Sequence, residues 1–475
     1  MSKLENLLKE RGPIKNIGVL GMGYVGIPAA VLFADAPCFD KVLGFQRNSK
    51  SSGYKIDMLN RGESPLKGEE PGLEELIEKV VKAGKFECTP DFSRISELDA
   101  VTLAIQTPFA NPKDLEPDFS ALIDGIRNAG KYLRPGMLVV LESTITPGTT
   151  EGMAKQILEE ESGLKAGEDF ALAHAPERVM VGRLLKNIRE HDRIVGGIND
   201  ASTKRAVELY SPVLTAGKVI PMSATAAEVT KTAENTFRDL QIAAINQLAL
   251  YCEAMGINVY DVRTGVDSLK GEGITRAILW PGAGVGGHCL TKDTYHLERG
   301  VKIGKGELDY PEGADSIYVL ARKVNDFMPT HMYNLTVAAL ERIGKKMKGS
   351  KVAVLGWAFI KDSDDARNTP SEPYRDLCLK AGANVMVHDP YVVNYPGVKI
   401  SDNLEEVVKG ADAVVVLAGH SAYSGLKADW VKKVTAKANP VIVDGRNVIE
   451  PDEFIGKGFI YKGVGRGDKN SHKIK

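Results

Sequence analysis

"GVLGMGYVGIPAA", Gly18 to Ala30, runs from a short apolar strand into a helix through a corner with almost no side chains. Gly21-Met22-Gly23-Tyr24-Val25-Gly26 fits G-x-G-x-x-G, with "IGVL" before it and "IPAAVLFAD" after it. That strand-to-helix context is what gives the spacing meaning. The first glycine permits a tight turn, the second lets backbone approach a pyrophosphate, and the third lets helix and strand pack closely. The helix start adds free N–H groups and a partial positive charge for phosphate. The corner predicts a dinucleotide-binding unit. The alternative is a glycine-rich α/β turn without a cofactor.

Outward from the corner, short β-branched runs alternate with helical patterns. "NIGVLG", "KVLGF", "AVTLAIQTP", "GMLVVLEST" and "FALAHAPE" are near-continuous apolar strands, as a parallel sheet buried on both faces requires. A second series begins at Lys351 with "KVAVLGWAF", "ANVMVHDP", "DAVVVLAGH" and "PVIVDGRN". Between the two series, "TAAEVTKTAENTFRDLQIAAINQLALYCEAMG" has helical periodicity and no proline. Thr225 and Glu228 have capping-box spacing, and Gly256 is a C-terminal stop signal. Such a helix would be about 45 Å long. A further helical stretch runs from Gly313 to Ile343. The predicted fold is α/β: two Rossmann-like, doubly wound parallel-sheet domains joined by a central helical domain with one long helix. The expected boundaries are 1–215, 216–344 and 345–475.

In NAD sites an acidic residue at the end of the second strand usually takes the ribose hydroxyl. Here "VLGFQRNSK" puts Gln46 at that point, followed by Arg47 and Lys50. A carboxylate would repel a 2′-phosphate, whereas arginine attracts one. The pattern tilts from NAD towards NADP, or towards use of both; alternatively Arg47 stacks on adenine or faces solvent. The second α/β domain has a single glycine in "VLGWAF", so any nucleotide it holds is not held by the dinucleotide fingerprint.

"PGAGVGGHCLTKD" places Cys289 after a run of glycines and before Lys292 and Asp293. Thr291 is positioned to cap a short helix, "KDTYHLE". A helix start and a nearby cation both favour a thiolate, and thiolate, aspartate and cation make a covalent-catalysis site. The plainer reading is a small buried cysteine in a turn. Cys38, Cys88, Cys252 and Cys378 lack these surroundings and read as packing residues. On the long helix Lys231 and Asn235 share a face at i, i+4 spacing. A partly buried lysine there could stabilise an oxyanion or move a proton; otherwise it is a solvated helix lysine.

The 475 residues suit two or three domains. Lys+Arg 61 against Asp+Glu 62 gives a net charge of -1, which argues against nucleic-acid or polybasic membrane partners. The cysteines form no C-x-x-C pair, and His174, His288 and His388 lack metal-ligand spacing, so neither metal nor disulfide framework is expected. The N-terminal "MSKLENLLKERGPIKN" has no apolar core of a signal peptide, and no run approaches a membrane span. A reducing cytoplasm is the expected setting.

Taken together, "GMGYVG", "QTP", "ESTITPGTT", "AHAPERVMVGRLL", "AEVTKTAENTF", "PGAGVGGHCLTKD", "DSDDARNTP" and "VDGRNV" resemble the UDP-glucose/GDP-mannose dehydrogenase family over almost the whole chain. "PERVMVGR" and "GGHC" look most like the branch acting on UDP-N-acetylhexosamines. The resemblance implies an enzyme that takes the sugar C6 hydroxymethyl to a carboxylate with NAD, through a cysteine-bound thiohemiacetal and thioester. It implies Cys289 as nucleophile, with Lys231 and Asn235 on the substrate oxygen. Asp293 would position Lys231 or the hydrolytic water, and Thr144 and Glu177 would serve hydrolysis. It implies cofactor contacts from Gly21, Gly23, Tyr24, Val25, Gly26, Gln46, Arg47, Thr107, Thr144 and Arg367. Glu177, Arg178, Lys231, Asn235, Arg276 and Arg446 would meet the UDP-sugar, with Arg276 crossing to a neighbouring subunit of a homodimer. Departures from the family pattern are Gln46-Arg47, Val181 in place of a second glutamate, and Ile360-Lys361 where a lysine follows "AF". The rivals are the same chemistry on UDP-glucose or GDP-mannose, a two-electron hydroxyacid dehydrogenase, and a nucleotide sensor without turnover.

Overall fold

The computed structural model describes residues 2–66, 70–111, 116–180, 182–269, 278–287, 289–303 and 316–470. The chain forms two compact units, Met1–Glu234 with Lys292–Asp309, and Asn235–Thr291 with Tyr310–Lys475.

The first unit is built on strands β1 (Asn16–Leu20), β2 (Lys41–Phe45), β3 (Phe86–Thr89), β4 (Ala100–Leu103), a small hairpin β5 (Phe109–Asn111) and β6 (Glu116–Pro117), then β7 (Leu138–Leu141), β8 (Ala171–His174), β9 (Arg193–Gly197) and β10 (Val219–Ser223). The main sheet has the order β10-β9-β8-β7-β4-β1-β2-β3. Its strands are parallel from β3 to β8, β9 turns antiparallel to β8, and β10 pairs parallel to β9. β7 and β8 are buried along their whole length, so apolar cores form on both faces of the sheet. This is the strand pattern expected from the sequence, with additions. β3, β9 and β10 escape a search for apolar runs: "FECT" is short and carries a glutamate, "RIVGG" ends in two glycines, and "VIPMS" contains a proline, which an edge strand tolerates.

The second unit carries β11 (Lys351–Leu355), β12 (Asn384–His388), β13 (Ile400–Ser401), β14 (Ala413–Val416), β15 (Val441–Asp444) and β16 (Ile460–Gly463). All are parallel in the order β13-β12-β11-β14-β15-β16. Both sheets therefore reverse their winding beside their first strand, at β1/β4 and at β11/β14, and ligands of such sheets bind outside the strand ends at that point.

The long helix spans Ala224–Met255 and ends where Gly256 adopts φ 69. Its start differs from the capping box expected. The Ser223 hydroxyl receives the Ala226 N–H, Thr225 donates to Glu151, and Glu228 serves another segment altogether. A second helix, Ile317–Arg342, is capped by Ser316 and accommodates a buried Pro329. Buried Arg322 on that helix pairs with Asp239 at 2.6 Å. Asn325 donates to one carboxylate oxygen of Asp239 and to its backbone carbonyl, and Asn246 joins Asn325 at 2.9 Å. Burial pushes the Asp239 carboxyl up against the pull of Arg322. These polar pairs, with His331 of the second helix 3.0 Å from Glu253 of the long one, fix the register of the two helices, because hydrogen bonds supply a direction that apolar packing lacks. Among the described residues no helix is long and apolar enough to cross a membrane.

Candidate active site

In the first unit the three glycines of the corner have three measurable reasons. Gly21 sits at φ +100, and a Cβ there would lie 2.6 Å from the Ala104 carbonyl oxygen at the end of β4. A Cβ at Gly26 would fall on the Gly21 carbonyl, so the helix Gly26–Asp35 can start only with glycine. A Cβ at Gly23 would meet nothing within 4 Å, which leaves open the space a pyrophosphate needs. The residues present thus fit a dinucleotide at the β1/β4 switch point. Gln46 caps the corner: its Oε1 accepts the Met22 N–H at 3.3 Å and its Nε2 donates to the Ser52 hydroxyl at 3.0 Å. Arg47 is exposed, with an ion pair to exposed Asp124 at 3.5 Å. Lys55 donates to the Met22 carbonyl at 2.8 Å, and burial lowers its pKa.

Beyond β4 and β7, the Thr107 hydroxyl donates to the Thr144 carbonyl at 2.5 Å, so the two threonines meet. The turn that follows Thr144 is gripped from two sides. The long helix presents Glu228, which accepts from the Gly148 N–H at 2.5 Å, the Thr150 N–H at 2.8 Å and the Thr150 hydroxyl at 2.6 Å. Burial pushes the Glu228 carboxyl up to about 7 against these donors. The helix Asp293–Ile303 presents His296, whose Nδ1 lies 3.0 Å from the Thr146 hydroxyl, and Gly300, which packs on Pro147. Lys231 stands one turn beyond Glu228 and is buried. Asp293 stands one turn before His296, buried and ion-paired to buried Lys292 at 3.1 Å. Thr144, Lys231 and Asp293 are thereby held by one turn. Asp293 pairs with its neighbour Lys292, the lysine that stands beside it in the sequence.

Glu177 is buried on the turn after β8. Its Oε1 receives the Arg178 N–H at 2.7 Å and its other oxygen is bound by Arg193. Arg178 turns to Glu234 at 3.4 Å and to the Asp192 carbonyl. Arg193, Glu142 and Tyr210 are functional candidates that motif reading missed. The signal was present in "GMLVVLE", where a carboxylate ends a buried apolar strand.

In the second unit, Cys289 is half-buried at the end of its glycine loop. A Cβ at Gly287, at φ +91, would lie 2.8 Å from the Phe359 ring, and one at Gly286 would run into Phe359. The loop is further tied down by the Gly287 N–H on the Arg367 carbonyl at 2.8 Å and by Gly282 on Asn246 at 3.0 Å. Thr291 donates to the Gly287 carbonyl at 2.7 Å and accepts from Asn368, so it fastens the loop and does not serve as the expected cap. The helix starts at Asp293, leaving Cys289 on a non-helical turn. Cys88 and Cys378 are buried and their thiols are pushed up to about 12 and about 11, which suits packing residues. Arg367 forks onto Asp365. Arg446 reaches the Leu417 carbonyl at 2.8 Å beside Gly282. Asn235 is half-buried on the long helix and Lys361 is exposed. Arg276 and Val181 lie outside the described residues.

The β11 corner differs from that of β1. Its only glycine, Gly356 at φ +99, approaches Ala418, and the next two N–H groups bind Asp389 at 2.6 and 2.9 Å. Burial resists charge on Asp389, but His420 and the N–H groups of Ala358 and Val392 hold it below the usual range. An internal carboxylate thus fills the place of a phosphate.

The sequence matches the UDP-glucose/GDP-mannose dehydrogenase family in all three of its domains: the NAD binding domain over residues 15–214, the central domain over 225–317 and the UDP binding domain over 353–451. The chain is 36% identical to the UDP-N-acetyl-D-mannosamine dehydrogenase of Pyrococcus horikoshii, covering 95% of this chain and 99% of that one. Among solved structures it is similar to an NDP-N-acetyl-D-galactosaminuronic acid dehydrogenase from Methanosarcina mazei Go1, with 93% identity, 99% of each chain covered and a TM-score of 0.90. A UDP-glucose dehydrogenase from Pyrobaculum islandicum is 28% identical, with a TM-score of 0.80 over 95% of this chain and 98% of that one.

One consequence of this site is a pH effect on stability. His174 is fully buried at the end of β8, and burial, aided by the Arg193 charge, lowers its pKa to about 3. A folded pKa below the unfolded value of about 6.5 means that the unfolded chain takes the proton first. The contribution is complete above pH 6.5 and is lost as pH falls towards 3. At pH 5 the loss from this group is about 2 kcal/mol. His174→Met keeps the volume and removes the titration. The thermal midpoint of the parent should therefore fall relative to the variant between pH 7 and pH 5; parallel midpoints would refute the assignment.

Proposed function

The chain belongs to the UDP-glucose/GDP-mannose dehydrogenase family, and from that premise we propose that it oxidises C6 of a UDP-N-acetylhexosamine to the uronate with two NAD. The carrying observation is that one chain holds both a dinucleotide corner and a half-buried cysteine on a clamped glycine loop. A two-electron alcohol dehydrogenase needs only the first. The names of the 36% and 93% identical relatives both specify an N-acetylated sugar, which favours this branch over UDP-glucose.

On this reading residues 1–215 hold the dinucleotide, 216–344 carry the nucleophile and the subunit contact, and 345–475 hold the nucleotide sugar. NAD, when bound, accepts one hydride at each of the two oxidations. Lys231 and Asn235 hold the C6 oxygen, and Lys231 takes up its proton. The Cys289 sulfur adds to the aldehyde carbon, giving a thiohemiacetal whose oxidation leaves a thioester. Glu177 and Thr144 orient the water that cleaves it, and Asp293 fixes the cation beside it. In sum, one water enters and three protons leave for each carboxylate formed. Arg178 and Arg446 support the UDP-sugar, and Arg367 the cofactor.

The reading requires two reduced nicotinamides and one uronate per sugar consumed. Cys289→Ala should lose this turnover by several powers of ten, since no thioester can form. A parent enzyme that stops at one reduced nicotinamide, or a variant with normal turnover, would remove the cysteine from the reaction.

We also infer that the cofactor choice rests on Gln46 and Arg47. Gln46 stands at the position where NAD sites usually carry an acidic residue, and Arg47 beside it is exposed and ion-paired to the exposed Asp124. The ratio of kcat/KM for NAD over NADP should rise tenfold or more in Gln46→Asp/Arg47→Ile, about 1.4 kcal/mol. An unchanged ratio would sink the idea.

A homodimer through the long helix completes the reading. Phe237, Tyr251 and Met255 are more than half exposed, at 57%, 58% and 59%, on one stripe of that helix. So much apolar surface on one face marks an interface. Sedimentation should give a dimer for the parent and a monomer for Phe237→Glu/Tyr251→Glu; a fully active monomeric parent would refute it.

A further inference from the structure

Arg193 is the first residue of the strand that reverses direction. Gly196 and Gly197 pair antiparallel with His174 and Ala173. Continued backwards, that register brings Arg193 past the end of β8 and opposite Glu177. Its guanidinium is buried and binds two carboxylates at once, Glu177 on one nitrogen and Glu142 at 3.0 Å on the other. The second nitrogen also holds the Ala175 carbonyl at 2.9 Å. Tyr210 donates to Glu142 Oε1 at 2.6 Å, and Arg193 lies 4.3 Å from the centre of the Tyr210 ring. Glu142, Glu177, Arg193 and Tyr210 line a small cavity with room for about one water molecule. The other Glu142 oxygen is buried with no hydrogen-bond partner among the described residues.

We propose that Glu142 acts through Arg193 to keep Glu177 basic enough to take the proton of the water that hydrolyses the Cys289 thioester, with Arg193 and Tyr210 as positioning residues. The inference rests on the reading in which Glu177 serves that hydrolysis. In the step, the water oxygen bonds to the thioester carbon, the carbon–sulfur bond breaks, and sulfur leaves as thiolate. The water proton goes to Glu177 and the second proton of the product carboxyl goes to solvent. No electrons change hands.

The physical reason is charge balance. A guanidinium with Glu177 as its sole partner would stabilise that carboxylate and make it a poor base. Protonating Glu177 would then strand a buried arginine without its counterion, which is strongly unfavourable. With Glu142 on the same guanidinium, the cluster carries two negative charges against one positive. Uptake of one proton leaves it neutral and Arg193 still paired. Burial, more than any other influence, pushes Glu142 itself up, and Tyr210 stays far above its usual value as a neutral donor.

The other charged groups facing the cluster are few. Arg178 is turned to Glu234 and to the Asp192 carbonyl. His174 stays neutral, and Lys231 on the long helix is close enough to act on His174.

The test compares Glu142→Gln, Tyr210→Phe and Arg193→Lys with the parent. Three readouts are needed: single-turnover formation of reduced nicotinamide, intact-protein mass after incubation with substrate and NAD, and the acid limb of kcat against pH. Glu142→Gln should form both reduced nicotinamides at the parental rate, then hydrolyse at least tenfold more slowly. A sugar adduct should accumulate on Cys289, and the acid limb should move to lower pH. Tyr210→Phe removes one hydroxyl beneath the same cluster and should shift the limb in the same direction by less, and it decides the matter if Glu142→Gln fails to fold. Arg193→Lys restores the charge without the fork and should recover less hydrolysis than hydride transfer. An unmoved acid limb with all steps equally slowed would mark a merely structural cluster and overturn the proposal, as would parental kinetics in both Glu142→Gln and Tyr210→Phe. A Cys289→Ala enzyme with normal turnover would instead overturn the reading beneath it. A dead Cys289→Ala enzyme with no adduct in Glu142→Gln would overturn this inference alone.

Discussion

Glu228 is a carboxylate buried where water cannot reach it, and its three donors all come from one turn, residues 148–150. That contact is what the first unit's site depends on. A desolvated carboxylate is unfavourable unless its lone pairs are filled, so the turn and the start of the long helix can satisfy each other in only one register. His296 and Gly300 seat a third segment on the other side of the same turn. Helical spacing does the rest: Lys231 follows Glu228 by three residues and Asp293 precedes His296 by three. Three segments far apart in sequence are aligned by a piece of backbone a few residues long, and hydrogen bonds supply the direction that apolar packing lacks.

The same economy of position appears in the two sheets. Their strand orders are alike, and each has a glycine with positive φ after its first strand because the next strand's end leaves no room for a side chain. Yet only the first corner is free for phosphate. At the second, Asp389 at the end of β12 turns inward and takes the N–H groups of Trp357 and Ala358. Topology creates a binding edge in both cases, and a single carboxylate decides whether backbone donors face a ligand or the protein itself.

Much of this was legible in the sequence, and the limits have physical reasons. The apolar strands of both sheets, the glycine corner and the end of the long helix at Gly256 declare themselves locally, through period, turn chemistry and burial. Glu228 misled, because its spacing from Thr225 is that of a capping box while its real partners lie about 80 residues away. Thr291 misled for the same reason: a hydroxyl before a helix can cap it or fasten a loop, and the choice depends on Gly287 and Asn368. β9 was invisible as a strand because its glycines and arginine carry no apolar pattern. Its reversal is nevertheless what brings Arg193 to the carboxyl end of β8, beside Glu177. The failures fall on polar groups whose partners are remote, which is where natural sequences depart from local rules to build sites.

The cysteine loop shows what that departure achieves. Glycine-rich segments are usually the most mobile in a chain, since they lose the most conformational entropy on ordering. Here the missing side chains do the opposite, because they let Phe359 lie against the backbone at Gly286 and Gly287. Gly282 is held by Asn246, which is held in turn by Asn325, Asp239 and Arg322 in the helical layer beneath. The backbone leading to Cys289 is therefore anchored to a buried polar chain that could not shift without stranding a charge. A nucleophile must be presented within a fraction of an ångström of its working geometry. A glycine-rich loop, clamped by an aromatic ring and tied to a buried ion pair, meets that demand and leaves Cys289 half-buried.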